Sequence, residues 1–309
     1  MIFDAHSDLP TYVYMRRGRG ETAVLERNFE RFFKGIGSRV MAVWTPEDRR
    51  GNALRYALDV YARFRRDVME SQRLELVTSS RGMEEAIKGG RVALWFGLEG
   101  GEPLESVEVL EVFYSLGLRV LTLTWSLRNA IGDGVFERTN GGLTNFGVEV
   151  VGKAEELGVL VDLSHINEAG FWDALDVTSF PVMASHSNAR KLCDSPRNLM
   201  DEQIKAIAER GGVVGAVAIP SFVKKEDPTL EDYVRHIEYM VDLAGSRAVG
   251  LGFDFVYYLE GWSGRAVEGF ENEGAIPALL EALRERFSER DVERVTFGNF
   301  ERLFREVVG

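Results

Sequence analysis

The 309-residue sequence contains a single cysteine, Cys193. It can form no internal disulfide, no paired-cysteine redox centre and no cysteine-built structural zinc site. No apolar run approaches the roughly 20 residues that cross a bilayer. The opening residues, Met-Ile-Phe-Asp-Ala-His, show neither the basic segment nor the apolar stretch of a secretory leader, so a cytoplasmic protein is expected. Basic residues are outnumbered, 37 against 49 acidic, for a net charge of −12. A phosphate backbone would meet net repulsion, which argues against nucleic-acid binding. The densest basic stretch, Arg63, Arg65 and Arg66, alternates with Asp59, Asp67 and Glu70 and reads as a solvated helix face. Lysine is scarce, 7 residues against 30 arginines, a bias that suits a heat-adapted or GC-rich source. Low-complexity linkers are missing as well, so one domain over residues 1–309 is expected.

What the chain does have is an alternation of short apolar, β-branched runs with amphipathic helical patterns. Eight runs stand out: Ile2–Asp8, Arg39–Thr45, Val92–Glu99, Arg119–Trp125, Val159–His165, Pro181–His186, Gly212–Ile219 and Ala248–Asp254. They show little polar alternation, as parallel strands buried on both faces do. Between them, Asn52–Ser71 and Leu230–Ala244 each carry a helical apolar stripe, and Phe146–Leu157 is preceded by capping residues and followed by Gly158. Helical material over Phe287–Val308 closes the chain. Eight strand–helix units point to a (β/α)8 TIM-type barrel with extra C-terminal helices, an open doubly wound sheet being the alternative. The sheet alternative is weakened because no GxGxxG follows the first strand.

Three of the four histidines, His6, His165 and His186, fall at the ends of predicted strands, as do Asp8, Glu99 and Asp254. In a closed barrel those ends open on one face, where the active sites of such barrels are built. His6 and Asp8 are two apart, so on a strand both face the same spot. His6, Asp8, Glu99, His165 and His186 make five ligands of zinc-compatible type, too many for one catalytic ion with an open position. They suit two zinc ions about 3.5–4 Å apart, with Glu99 as the bridge. Asp254 is placed to move a proton, or merely to cap a turn. Arg197 is placed to hold a substrate carboxylate, or to pair on the surface. His236, opposite the apolar stripe of its helix, is expected to be solvated, and Cys193 to be a small buried apolar residue.

The stretches Asp4-Ala-His6-Ser-Asp8-Leu-Pro, Gly97-Leu-Glu99-Gly-Gly, Leu121-Thr-Leu-Thr-Trp125, Asp162-Leu-Ser-His165, Ser185-His186-Ser-Asn-Ala-Arg, Pro196-Arg197-Asn198, Val249-Gly-Leu-Gly-Phe-Asp254-Phe and Gly298-Asn299-Phe300 together resemble the membrane dipeptidase family of zinc peptidases, across nearly the whole chain and in order. The resemblance implies an amidohydrolase-type barrel with two zinc ions per chain. His6, Asp8 and Glu99 would hold one ion, and Glu99, His165 and His186 the other. A bridging hydroxide would attack the peptide bond, Asp254 would shuttle the proton, and Arg197 would grip the C-terminal carboxylate of a dipeptide. Two departures stand out. Trp125 replaces a substrate-contacting histidine of the family, whose role would fall to Asn129 or Arg128 or to a zinc ion alone. The sequence after Asp254 reads Phe-Val-Tyr where the family has Phe-Asp-Gly. The secretory and lipid-anchor signals of the mammalian enzymes are also missing. The expected partner is a small-molecule dipeptide, with no nucleic acid and no membrane, and a homodimer is left open. The alternatives are the same metal site acting on another amide, an N-acyl amino acid or a lactone, or a non-catalytic metal-binding scaffold.

Overall fold

The computed structural model describes residues 1–261 and 266–309. Its nine parallel strands are β1 (Ile2–Asp4), β2 (Ile36–Trp44), β3 (Leu74–Val77), β4 (Val92–Glu99), β5 (Leu118–Thr122), β6 (Leu160–Asp162), β7 (Met183–Ala184), β8 (Val213–Ala216) and β9 (Val249–Leu251). Eight of them close into a ring in the order β1-β2-β4-β5-β6-β7-β8-β9, with β9 returning to β1. The eight apolar runs of the sequence are these eight strands, and the closed (β/α)8 barrel is the one expected. The ninth, β3, is an outlier. It pairs with the first half of β4, Leu74 to Val92 through Val77 to Trp95, while β5 takes the same edge from Phe96 onward. Its four residues, Leu-Glu-Leu-Val, are too short to register as a buried run.

Apart from β2 and β4, the observed ring strands are shorter than the apolar runs, and this changes how the polar residues are presented. β1 ends at Asp4, and Asp8 is the residue before the helix Leu9–Gly18. His6 and Asp8 therefore do not meet by strand alternation, as the two-residue spacing suggested, but through an extended exit that turns into a helix. His165 and Asp254 each lie three residues past a strand end, and His186 lies two past. The helices follow the sequence more closely. Ala53–Met69 and Leu230–Ala244 form as expected. In Asn145–Leu157 the Thr144 hydroxyl accepts from the Gly147 amide at 3.0 Å, and Gly158 ends the helix at φ 70°. His236 departs from expectation: it is fully buried, with Nε2 2.9 Å from the Val223 carbonyl and Nδ1 accepting from the Ala189 amide at 3.3 Å. The loop 188–189 and the short helix Pro220–Val223 cover the helix face that the stripe alone marks as exposed.

The two ends of the barrel are treated differently. Phe3, Val40, Trp95, Val120, Leu160, Met183 and Val213, one residue from each of seven ring strands, share a cluster with Phe300, Leu303, Phe304 and Val307 of the last helix. The Phe304 ring lies 5.0 Å from Phe3 and 4.6 Å from Trp95. The eighth strand contributes Gly250, where a Cβ would collide with the Phe300 ring. The C-terminal helix thus plugs the N-terminal end of the strands and leaves their C-terminal ends to form the site.

A buried ionic cluster ties the site's flank to the barrel wall. Arg39 on β2 lies 2.8 Å from Asp4 on β1 and 3.0 Å from Glu273, and donates to the Phe32 carbonyl at 2.7 Å. Asp4 in turn accepts from the Phe253 amide at 2.9 Å, next to Asp254. All three charged groups are sealed from water. Removing the cation strands two buried carboxylates, so Arg39→Met should destabilise by roughly 3–5 kcal/mol, read from urea unfolding midpoints.

Candidate active site

The residues singled out in the sequence converge at the C-terminal mouth. Going around the ring, β1 presents His6 and Asp8, β4 presents Glu99, β6 presents His165, β7 presents His186, and β9 presents Asp254. His165 Nε2 lies 3.0 Å from Glu99 Oε1 and 2.9 Å from His186 Nε2, which is itself 3.5 Å from the same Glu99 oxygen. The other Glu99 oxygen lies 3.6 Å from His6 Nε2, which is 3.8 Å from Asp254 Oδ1. His6, Asp8 and Asp254 form a second close group of potential ligands. The two oxygens of Glu99 therefore face different histidines, the geometry a bridging carboxylate needs.

The electrostatics of this cluster call for cations. Burial, then the charge of Glu99, pushes the Asp8 carboxyl up to about 7. Burial pushes Glu99 up to about 8, with Arg197 opposing and Asp162 and Glu102 reinforcing the rise. Asp254 is driven well above the usual carboxylate range by burial, against the pull of His6. His165 and His186 are held neutral by burial and by their positive neighbours, so their contacts with Glu99 are not ion pairs. His6 Nε2 and Asp8 Oδ1 have no hydrogen-bond partner although buried. Two neutral imidazole nitrogens 2.9 Å apart, beside a carboxylate, are poorly satisfied by one another. They fit a divalent metal: donors around a tetrahedral zinc at 2.0–2.1 Å stand about 3.3 Å apart, which the 2.9–3.5 Å separations match.

The supporting shell includes a relay that the sequence reading left without a role. Asp162, fully buried, accepts from the hydroxyls of Thr122 and Ser185 at 2.6 Å each and from the amides of Ser164 and Ser185. With its proton given to Asp162, the Ser185 hydroxyl accepts from His186 Nδ1 at 2.6 Å. That fixes the tautomer and leaves the Nε2 lone pair facing Glu99. Ser126 Oγ stands 3.3 Å from His165 Nδ1 in the equivalent position. Two site residues, His165 at φ 70° and Asp254 at φ 55°, occupy the left-handed region that side chains seldom adopt. Such conformations persist at functional sites where the surroundings enforce them. Ser185→Ala should cut metal affinity by roughly 10–100-fold, measured by competition with a chelator.

Above the cluster lies a cavity of about 340 Å³, walled mainly by apolar side chains, among them Trp44, Trp125, Phe136 and Phe222. Arg197 lines it and is nearly sealed. It donates to the His186 carbonyl at 3.0 Å, lies over the Phe222 ring at 5.4 Å, and keeps Nε unpartnered. Burial lowers its pKa to about 10, so it remains a cation at neutral pH. Trp125 also lines the cavity. Asn129 and Arg128 do not. The Asn129 amide is taken up by the Leu123 carbonyl and the Ile131 and Gly132 amides, which shape its loop. Arg128 pairs with Asp133 at 2.5 Å on the outer side. Asx-type turns of this kind compete for the polar groups of loop asparagines. Cys193 is buried, as expected.

The fold and the site together define a (β/α)8 barrel with a histidine–carboxylate cluster built to hold divalent metal at the mouth. Within that class the chain belongs to the membrane dipeptidase family, peptidase family M19, which it matches over residues 1–308. It is 31% identical to Dipeptidase 3 of Mus musculus over 334 residues, covering 99% of this chain and 64% of the mouse protein. The human Dipeptidase 3 is likewise 31% identical, with 65% of its length covered. The chain thus spans just under two thirds of these curated relatives. A metallo peptidase from Rhodobacter sphaeroides, solved with a phosphinate mimic of the dipeptide L-Ala-D-Ala, matches with a TM-score of 0.90 at 25% identity, covering 99% of each chain. The metallo peptidase dipeptidase AC matches with a TM-score of 0.88 at 26% identity, covering 100% of this chain and 98% of that one. The family expected from the motifs is the one found.

Proposed function

We propose that this protein is a dizinc dipeptidase. The observation that carries the reading is the split of Glu99, one oxygen toward His165 and His186 and the other toward His6, under a cavity that also holds a buried arginine. His6, Asp8 and Glu99 would hold one ion, and Glu99, His165 and His186 the other. When bound, the ions supply a water acidic enough to attack at neutral pH and a Lewis acid for the scissile carbonyl. The protein's own groups do the rest. Asp254 takes a proton from the attacking water and delivers it to the departing amine nitrogen. Arg197 holds the free carboxylate of the substrate, which favours dipeptides over internal peptide bonds. The apolar walls exclude water and limit substrate length. A cytoplasmic setting belongs to this reading, supported by a chain whose one cysteine admits no internal disulfide.

The test is zinc-loaded protein on a panel of dipeptides, N-acyl amino acids and lactones. Dipeptides with a free carboxylate should show the highest kcat/KM, and their C-terminal amides far lower values. Trp125 in the cavity, where family members carry histidine, favours a second reading: the same centre acting on an N-acyl amino acid, another amide or a lactone. A panel on which those substrates outrank every dipeptide would establish it. Arg197→Met should raise KM for dipeptides by roughly 10–100-fold, the worth of a charge-assisted hydrogen bond, with melting temperature as the control for folding.

A further inference from the structure

The cavity has two chemically distinct sides, and the barrel order fixes which is which. Trp44 ends β2 and pairs in register with Glu99 on the neighbouring β4, so both side chains leave the barrel on the same face. Trp125 follows β5, the next strand of the ring. The two indoles lie 5.2 Å apart with their planes inclined at 56°, and Trp125 lies 5.9 Å from the His165 ring. The Phe136 amide donates to the Ser126 carbonyl at 2.8 Å, bringing Phe136 to the rim beside them. The loop that carries Trp125 and Phe136 is held closely. A Cβ at Gly134 would collide with the Trp125 carbonyl oxygen, and the Val135 amide donates to the His165 carbonyl at 2.8 Å. This wall occupies the β2–β5 side. Arg197 and Phe222, from the segments after β7 and β8, and Asp254, after β9, occupy the other side. His6 after β1 and His165 after β6 stand between the two sides, Glu99 reaches in from β4 and His186 from the segment after β7.

Building on the dipeptidase reading, we infer that Trp44 and Trp125 form the pocket for the N-terminal residue of the substrate and select a large apolar or aromatic side chain there. The polarity follows from the chemistry. The leaving amine belongs to the C-terminal residue, whose carboxylate Arg197 holds. Asp254, which must reach that amine, stands on the Arg197 side. With the scissile bond over the ligand cluster, the other residue is left to the β2–β5 side, against the two indoles. Indole faces offer large, rigid apolar contact to a flat or branched side chain, and Glu47, the carboxylate that lines the cavity three residues after Trp44, repels an acidic one.

The experiment compares kcat/KM of the zinc-loaded enzyme for Phe-Ala, Leu-Ala, Asp-Ala, Ala-Ala and Ala-Phe, in wild type and in Trp125→Ala, Trp44→Ala and Trp125→Phe. Wild type should prefer Phe-Ala and Leu-Ala over Ala-Ala by roughly 10–100-fold, the worth of burying such a side chain. Asp-Ala should be the poorest. Each alanine variant should compress the Phe-Ala to Ala-Ala ratio to within about 3-fold, while the ratio of Ala-Phe to Ala-Ala stays within about 2-fold of wild type; Trp125→Phe should retain most of the selectivity. Selectivity that follows the C-terminal residue, or alanine variants that lose every substrate equally at unchanged zinc content and melting temperature, would overturn the assignment while leaving the dipeptidase reading standing. Hydrolysis of no dipeptide at all would overturn both.

Discussion

On the proposed dizinc centre, Glu99→Gln should reduce zinc content from two ions per chain to less than one and lower dipeptide hydrolysis by more than ~10³-fold, because it removes the one group whose two oxygens face both halves of the cluster. Metal analysis after dialysis against trace zinc, beside kcat/KM, measures it. The same substitution has an opposite effect on the metal-free protein, and the sign can be worked out. Free Glu titrates near 4.3, whereas buried Glu99 is pushed up to about 8. Between those values the folded chain holds a proton that the unfolded chain has lost, so stability is full below about 4.3 and is lost as pH rises through about 8. Asp8, pushed up to about 7, adds in the same direction. Metal-free wild type should therefore melt at a lower temperature at pH 8.5 than at pH 6. Glu99→Gln, with nothing to ionise at that position, should lose less over the same interval. Zinc reverses the trend, since it needs both carboxylates ionised and competes with their protons. The rise in melting temperature on adding zinc should accordingly be larger at pH 8.5 than at pH 6. A wild-type rise that is equal at both values would mean that Glu99 and Asp8 do not bind the metal.

The parts of this molecule legible in the sequence are those whose signal is local and contiguous. A strand buried on both faces is a run of Val, Leu and Ile, and all eight ring strands announce themselves that way. A ligand at the barrel mouth is a histidine or acid directly after such a run, as His165, His186, Glu99 and Asp254 are. What stayed hidden depends on partners far away in the chain. β3 is four residues long and stands only because β4 offers half an edge. His236 is buried by segments 13 and 47 residues distant in sequence, which no helical stripe records. The hydroxyl relay from Asp162 through Ser185 to His186 looks in the sequence like two ordinary serine-containing turns. A hint was present, since a buried acid two residues before Ser164 and 23 before Ser185 invites hydrogen-bonding partners, but only the adjacency of β6 and β7 brings them together. Asn129 misled in the reverse direction: its position suggested the cavity, and the backbone of its own loop claimed both ends of its amide.

Asp254→Asn should separate proton transfer from metal binding. Asparagine is nearly isosteric and, like aspartate, tolerates the left-handed conformation that residue 254 adopts at φ 55°, so the loop should keep its shape. Asparagine also keeps a carbonyl oxygen in the place of Oδ1, 3.8 Å from His6 Nε2, and loses only the capacity to carry a proton between water and amine. kcat should fall by roughly 10²–10⁴-fold, the usual worth of a positioned general acid–base group. KM should change by less than about 3-fold, and zinc content should not change. The pH profile supplies a readout that a merely structural role would not move. Burial drives the Asp254 carboxyl up, so in wild type its ionisation should contribute to the acid limb of kcat/KM, and the variant should lose that contribution. Loss of one zinc per chain in the variant would instead make Asp254 a ligand together with His6 and Asp8, the other grouping these side chains allow. Unchanged rates with unchanged zinc would overturn the proton-transfer role of Asp254, because an enzyme that cleaves an amide must protonate the amine it releases; of the other carboxylates lining the cavity, Asp8 and Glu99 are assigned to metal and Glu47 follows β2 on the opposite side.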